Sequence, residues 1–147
     1  MILPTPETTH AAGGLLAGHI RVGDVIALSG ELGAGKTSFA RGMLAALGLA
    51  GDAPSPSYAL VIPYGLSDVR IPLCHIDLYR LENPDDIAEL GLDEARVDAA
   101  LIIEWPERMG ARLWPDALKI HLVPDERGGR VLTVDVPPSW EGRCPLS

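Results

Sequence analysis

Gly30-Glu31-Leu32-Gly33-Ala34-Gly35-Lys36-Thr37 reads G-x-x-x-x-G-K-T, and the residues on either side of it decide what it can be. Upstream, the turn signal Gly23-Asp24 precedes Val25-Ile26-Ala27-Leu28, a short apolar run of the kind that forms a buried parallel strand. Downstream, the run from Ser38 to Leu47 places Phe39, Met43, Leu44 and Leu47 at helical spacing, with Gly48 as a stop. A glycine-rich loop that leaves a strand and opens a helix lets backbone N–H groups turn inward around a polyphosphate. Lys36 then supplies a cation for the outer phosphates and the Thr37 hydroxyl a ligand for Mg²⁺. The helix N-terminus adds unpaired N–H groups and the positive end of the macrodipole. A glycine-rich turn with an incidental lysine would need neither flank, and both are present. The stretch Gly33, Ala34, Gly35, Lys36, Thr37 and Ser38 is therefore the expected phosphate cradle.

A chain of 147 residues, 47% of them hydrophobic, is expected to form one domain with one core. We place it at residues 1–136, with 137–147 as an irregular, fraying C-terminal tail. No apolar run approaches bilayer-spanning length, and Met1 to Pro6 lacks a basic region followed by an apolar core, so a cytoplasmic protein without membrane contact is expected. Cys74 and Cys144 provide no disulfide framework. With a net charge of −8 and scattered basic residues, the surface repels a nucleic-acid backbone, so little direct nucleic-acid binding is expected.

Thr5-Pro6-Glu7 carries a cap, a proline for the first helical position and a first-turn acid, which predicts a helix to about Ala17. Strands are expected at Tyr58–Ile62, at Ile71–Ile76 (starting late or partly at an edge because of Pro72), and at Ala99–Ile103. Asn83-Pro84-Asp85-Asp86 opens another helix that Gly91 closes, with further helical turns from Leu92 to Asp98. Ala117–Val123 and Arg130–Val136 read as a hairpin around Pro124–Gly129. The fold class expected is α/β: a P-loop NTPase-like three-layer sandwich with a mostly parallel central sheet and a C-terminal antiparallel hairpin.

A phosphate loop needs an acid at the carboxyl end of a neighbouring strand to organise Mg²⁺ and water. Asp77 ends one apolar run and Glu104 another. For either acid alone, capping the next segment is an equal reading; as a pair beside the loop they are less easily dismissed. Pro54-Ser55-Pro56-Ser57 lies where nucleotide-sensing segments lie, and equally reads as a plain surface loop. Cys74-His75-x-Asp77 is not read as a metal set, because adjacent strand residues point to opposite faces. Trp105 either stacks beside a nucleotide or simply packs, and Arg80 either contacts phosphate or a partner or pairs with a surface carboxylate.

Taken in order, Gly30–Thr37, Ser55-Pro56-Ser57-Tyr58, His75-Ile76-Asp77-Leu78-Tyr79-Arg80-Leu81 and Ile103-Glu104-Trp105-Pro106-Glu107 resemble the TsaE (YjeE) family of small bacterial ATPases that support threonylcarbamoyladenosine modification of tRNA. The resemblance spans about Thr9 to Arg130. It implies ATP and Mg²⁺ as ligands, with Lys36 and the loop amides on the phosphates, Thr37 and Glu104 on Mg²⁺, and Asp77 assisting water attack. It further implies Thr9 near the nucleotide, Arg130 as a C-terminal contact, and TsaD-like and TsaB-like proteins as partners that handle the tRNA. Ser57 stands where the family has threonine, which keeps the hydroxyl and loses the methyl; Ile76 stands where phenylalanine is usual, a repacking.

Three rivals were weighed. A guanine-nucleotide switch would carry an Asn-Lys-x-Asp element, and Lys119 sits instead in Leu118-Lys119-Ile120. A small P-loop kinase would need an arginine-bearing lid, which no segment supplies. A nucleotide-dependent binding module stays open, because slow intrinsic hydrolysis is expected where a partner stabilises the transition state.

Overall fold

The structure is a computed structural model that describes residues 1–51, 53–56 and 60–146. Among these, seven strands, β1 (Ile2–Leu3), β2 (Val25–Ser29), β3 (Val61–Tyr64), β4 (Leu73–Asp77), β5 (Ala100–Glu104), β6 (Leu118–Pro124) and β7 (Arg130–Asp135), form one mixed sheet in the order β1-β7-β6-β2-β5-β4-β3. The four inner strands β6, β2, β5 and β4 run parallel. Outside them β7 pairs antiparallel with β6, β1 with β7, and β3 with β4. The parallel centre agrees with expectation; the antiparallel strands β1 and β3 at the two edges were not expected. The reason at β3 is length: residues 65–72 are too few for a parallel crossover, which takes about a dozen or more. Pro72 lies just before β4, so that strand does start late, but β4 is flanked on both sides rather than at an edge.

Strand β2 shows why the inner strands read as unbroken apolar runs. Val25 and Ala27 enter a core on one face with Leu101, Ile103 and Ile76; Ile26 and Leu28 enter the other with Ile102, Leu118 and Ile120. The second face is covered by α1 (Pro6–Ala17) and α2 (Lys36–Ala46), the first by α3 (Leu92–Asp98) and the 3₁₀ segments Pro84–Leu90 and Pro106–Arg112. Helix α1 opens on a reciprocal cap: the Thr8 N–H donates to Thr5 Oγ1 at 3.2 Å and the Thr5 N–H to Thr8 Oγ1 at 3.0 Å.

Helices α1 and α2 meet backbone to backbone. A Cβ at Gly42 would lie 1.9 Å from the His10 carbonyl oxygen, and one at Gly13 would lie 2.1 Å from that of Phe39. Only glycine allows this approach, and it carries Thr9 of α1 to the N-terminus of α2.

The C-terminal tail departs from expectation. Pro138–Trp140 forms a short 3₁₀ turn, Trp140 is fully buried and Leu146 is 5% exposed. Arg143 donates to both carboxylate oxygens of Asp24, at 2.6 and 2.8 Å, and lies 3.7 Å from the centre of the Trp140 ring. A stretch rich in Pro and Gly reads as frayed locally, yet one indole buried on the sheet is enough to dock it.

Candidate functional site: a cleft at the N-terminus of α2

Strand β2 ends at Ser29 and the chain turns through residues 30–35 into α2. Gly35, the residue before the helix, has φ 99°, a left-handed conformation that a side chain would strain, and supplies no capping side chain to the first turn. That turn contains no acid. Its N–H groups are left over by helix geometry and are of the kind that can donate to an anion. A cavity of about 270 Å³ lies against them. It is lined by Leu32, Gly33, Ala34, Gly35, Lys36, Thr37, Ser38, Asp77, Tyr79, Glu104 and Trp105.

The two acids arrive from neighbouring strands. Asp77 and Glu104 are register partners at the carboxyl ends of β4 and β5, and they are 6% and 3% exposed. The Tyr79 N–H donates to Asp77 Oδ1 at 2.9 Å, which orients that carboxylate at the end of its strand. The Thr37 hydroxyl donates to Glu104 Oε1 at 3.3 Å, bringing two oxygen ligands together at the mouth of the helix. Magnesium is bound through one or two protein oxygens together with substrate phosphates and water, so this hard, sparse donor pair fits it.

Lys36 is 5% exposed, and its ammonium donates to the carbonyl oxygens of Gly30 and, at 3.2 Å, of Glu31. The same nitrogen lies 4.1 Å from the centre of the Trp105 ring. Burial pushes the ammonium below the usual lysine range, while the carboxylates of Glu104, Glu107 and Asp77 pull it back up. Trp105 reaches this position through a left-handed backbone, φ 61° and ψ 50°, a conformation costing roughly 1–3 kcal/mol in a bulky residue. Tyr79 packs against it with ring centres 5.0 Å apart.

Thr9 and Arg130 do not line this cavity. They line an adjoining hollow of about 320 Å³ with Pro4, Thr5, Pro6 and Gly129, sharing Gly33, Gly35 and Ser38 with the first. The loop is a wall between two spaces. Arg130 braces that wall: its guanidinium donates to the carbonyl oxygens of Ala34 at 3.0 Å and Gly33 at 2.6 Å. Ser57 and Tyr58 lie outside the described residues. Three participants carry no assigned site role from sequence. Glu107 adds negative charge toward Lys36, and Tyr79 lines the cavity. The third, His75, is fully buried with Nε2 2.6 Å from Glu104 Oε2. Its signal was parity: two residues before Asp77 on one strand, it must share that acid's face.

Fold and site together define a mixed α/β protein with a glycine-rich loop and helix N-terminus lining a cavity that two strand-terminal carboxylates also line. The family model for "Threonylcarbamoyl adenosine biosynthesis protein TsaE" matches residues 3–132. Among curated proteins, the tRNA threonylcarbamoyladenosine biosynthesis protein TsaE of Streptomyces coelicolor is 37% identical, covering 73% of this chain and 73% of its own. The Bacillus subtilis protein of the same name is 37% identical over 78% of this chain and 71% of its own. The crystal structure of Bacillus subtilis YdiB superimposes with a TM-score of 0.78 at 30% identity, covering 93% of this chain and 84% of that one. The chain belongs to the TsaE family, whose members take part in tRNA threonylcarbamoyladenosine biosynthesis. Among the described residues no helix is long and apolar enough to cross a membrane.

Proposed function

We propose that this chain is a cytoplasmic, Mg²⁺-dependent ATPase of the P-loop three-layer class, slow alone. It supports tRNA N6-threonylcarbamoyladenosine formation by acting on a complex of TsaB-like and TsaD-like partners. The observation that carries this reading is the convergence of Lys36, Thr37, Asp77 and Glu104 on one cleft against the first turn of α2.

Each residue has a defined task. The first-turn N–H groups and Lys36 bind the phosphate tail, Lys36 exchanging its carbonyl contacts for phosphate oxygens. Thr37 and Glu104 would hold Mg²⁺, which neutralises charge on the outer phosphates when bound. Asp77, held by the Tyr79 N–H, accepts a hydrogen bond from the attacking water and orients it. Thr9 and the hollow beside it receive the remainder of the nucleotide, with Arg130 keeping the dividing loop in shape. Among the described residues no arginine lines the first cavity. Charge developing in the transition state is therefore met by Lys36 alone among the cationic side chains there, which supports slow turnover until a partner contributes. The same observation favours a second reading, in which nucleotide occupancy rather than turnover is what partners sense.

Titration with ATP and GTP, followed by Trp105 emission in a Trp114→Phe/Trp140→Phe background, tests the binding half. ATP should bind in preference to GTP. Lys36→Ala should weaken binding by about 10–100-fold, the scale of lost charge-assisted hydrogen bonds, and Glu104→Ala should abolish the Mg²⁺ dependence. Mg²⁺-dependent turnover at the parent level in both variants would refute the assignment. Turnover measured with and without the partner complex separates catalysis from occupancy.

A further inference from the structure

His75 is fully buried, carries one of the shortest polar contacts in the described residues, and has no task in the scheme above. Its neighbours explain why. On β4 it faces the same side as Asp77, and its register partners are Ile62 on β3 and Ile102 on β5. Among the described residues its second nitrogen, Nδ1, is buried without a hydrogen-bond partner.

That asymmetry leaves Nε2 as the ring's one polar attachment, 2.6 Å from Glu104 Oε2. Glu104 is thereby held at both oxygens by different partners, Oε2 by His75 and Oε1 by the Thr37 hydroxyl. Two fixed points remove the rotation of the carboxylate about its last bond. Oε1 stays beside Thr37, where the cation ligands must meet.

Building on the site reading above, we infer that His75 is a positioning residue for the divalent cation: it holds Glu104 as a pre-oriented ligand and touches neither cation nor nucleotide. A donor of this kind behind a metal-binding carboxylate is worth about 10–100-fold in metal affinity.

The test compares His75→Gln, whose amide N–H can reach where Nε2 stood, with His75→Leu, which fills the space without a donor. For each, ATP affinity is measured in excess chelator and again across a Mg²⁺ and a Mn²⁺ series, with thermal unfolding as a control. His75→Leu should need about 10–100-fold more cation to reach half of the nucleotide-binding gain, with chelator-state affinity unchanged, and His75→Gln should recover most of the loss. An unchanged cation midpoint in a folded His75→Leu protein overturns the inference and leaves the site reading intact. A parent protein whose ATP binding ignores Mg²⁺ overturns both. Should neither variant fold, the ¹⁵N signals of the parent's imidazoles decide: a His75 Nε2 signal displaced by Glu104→Gln supports the inference, and one that ignores that change overturns it.

Discussion

The two ends of the same parallel strands bury carboxylates in opposite ways. At the amino end, Asp24 precedes β2 and every strong acceptor position is matched: both oxygens meet Arg143, Oδ2 also accepts from the Arg21 N–H at 2.7 Å, and the guanidinium covers Trp140. At the carboxyl end, Glu104, Asp77 and Glu107 all act on one lysine, which is itself pushed toward neutrality by burial. The first network answers its carboxylate at both oxygens and leaves no charge to offer a ligand, although the Trp140 Nε1 beneath it is buried without a partner. The second gathers three carboxylates around one buried lysine, lies on a cavity and includes a strained tryptophan. Proteins tolerate such strained polar clusters where binding requires them.

Four measurements press on that contrast. The largest effect is expected from Trp140→Ala, which empties a fully buried site and should lower folding stability by about 3–5 kcal/mol in chemical denaturation. Nucleotide affinity of the folded fraction should stay unchanged; a loss of affinity as large as the loss of stability would mean that the two ends are not separable. Asp24→Asn leaves Arg143 in place with its charge unanswered, and should cost about 2–3 kcal/mol of stability, again without a change in binding.

At the other end the balance should reverse. Asp77→Asn keeps an oxygen for the Tyr79 N–H and removes one of the crowded charges. Stability should hold or rise by up to about 1 kcal/mol while turnover falls. A loss above about 2 kcal/mol would show Asp77 to be a structural acid like Asp24. The smallest effect concerns the thiols. Burial raises Cys74 above its ordinary value, so its folded form holds a proton that the unfolded chain releases. That contribution is full below about pH 9 and is lost as pH rises through the folded value, giving a shallow decline in stability at alkaline pH. Alkylation at pH 8 should accordingly modify half-buried Cys144 well before Cys74; equal rates would contradict the burial of β4.

Legibility followed the range of the interactions. The loop from Gly30 to Thr37, β2, α1 and the strand-terminal positions of Asp77 and Glu104 were readable because caps, glycines and apolar periodicity act within a few residues. Strand β1 was not, since two residues cannot display alternation. Parity was available for His75 but was used only to separate it from Cys74, so the side it shares with Asp77 went unread.

From the amino acids alone came the glycine-rich loop, the helix behind it, the two acids that end strands, and the net negative charge. These are local patterns, set by backbone sterics and by burial at a fixed period. Folding in three dimensions decided the rest: antiparallel edges on both sides of the sheet, Arg130 turned onto the loop carbonyls, Glu104 caught between Thr37 and His75, and the tail docked by the buried Trp140 and by Arg143 on Asp24. Each of those depends on side chains tens of residues apart meeting in a low-dielectric interior, where a partner's distance and direction determine whether a charge is silenced or left available.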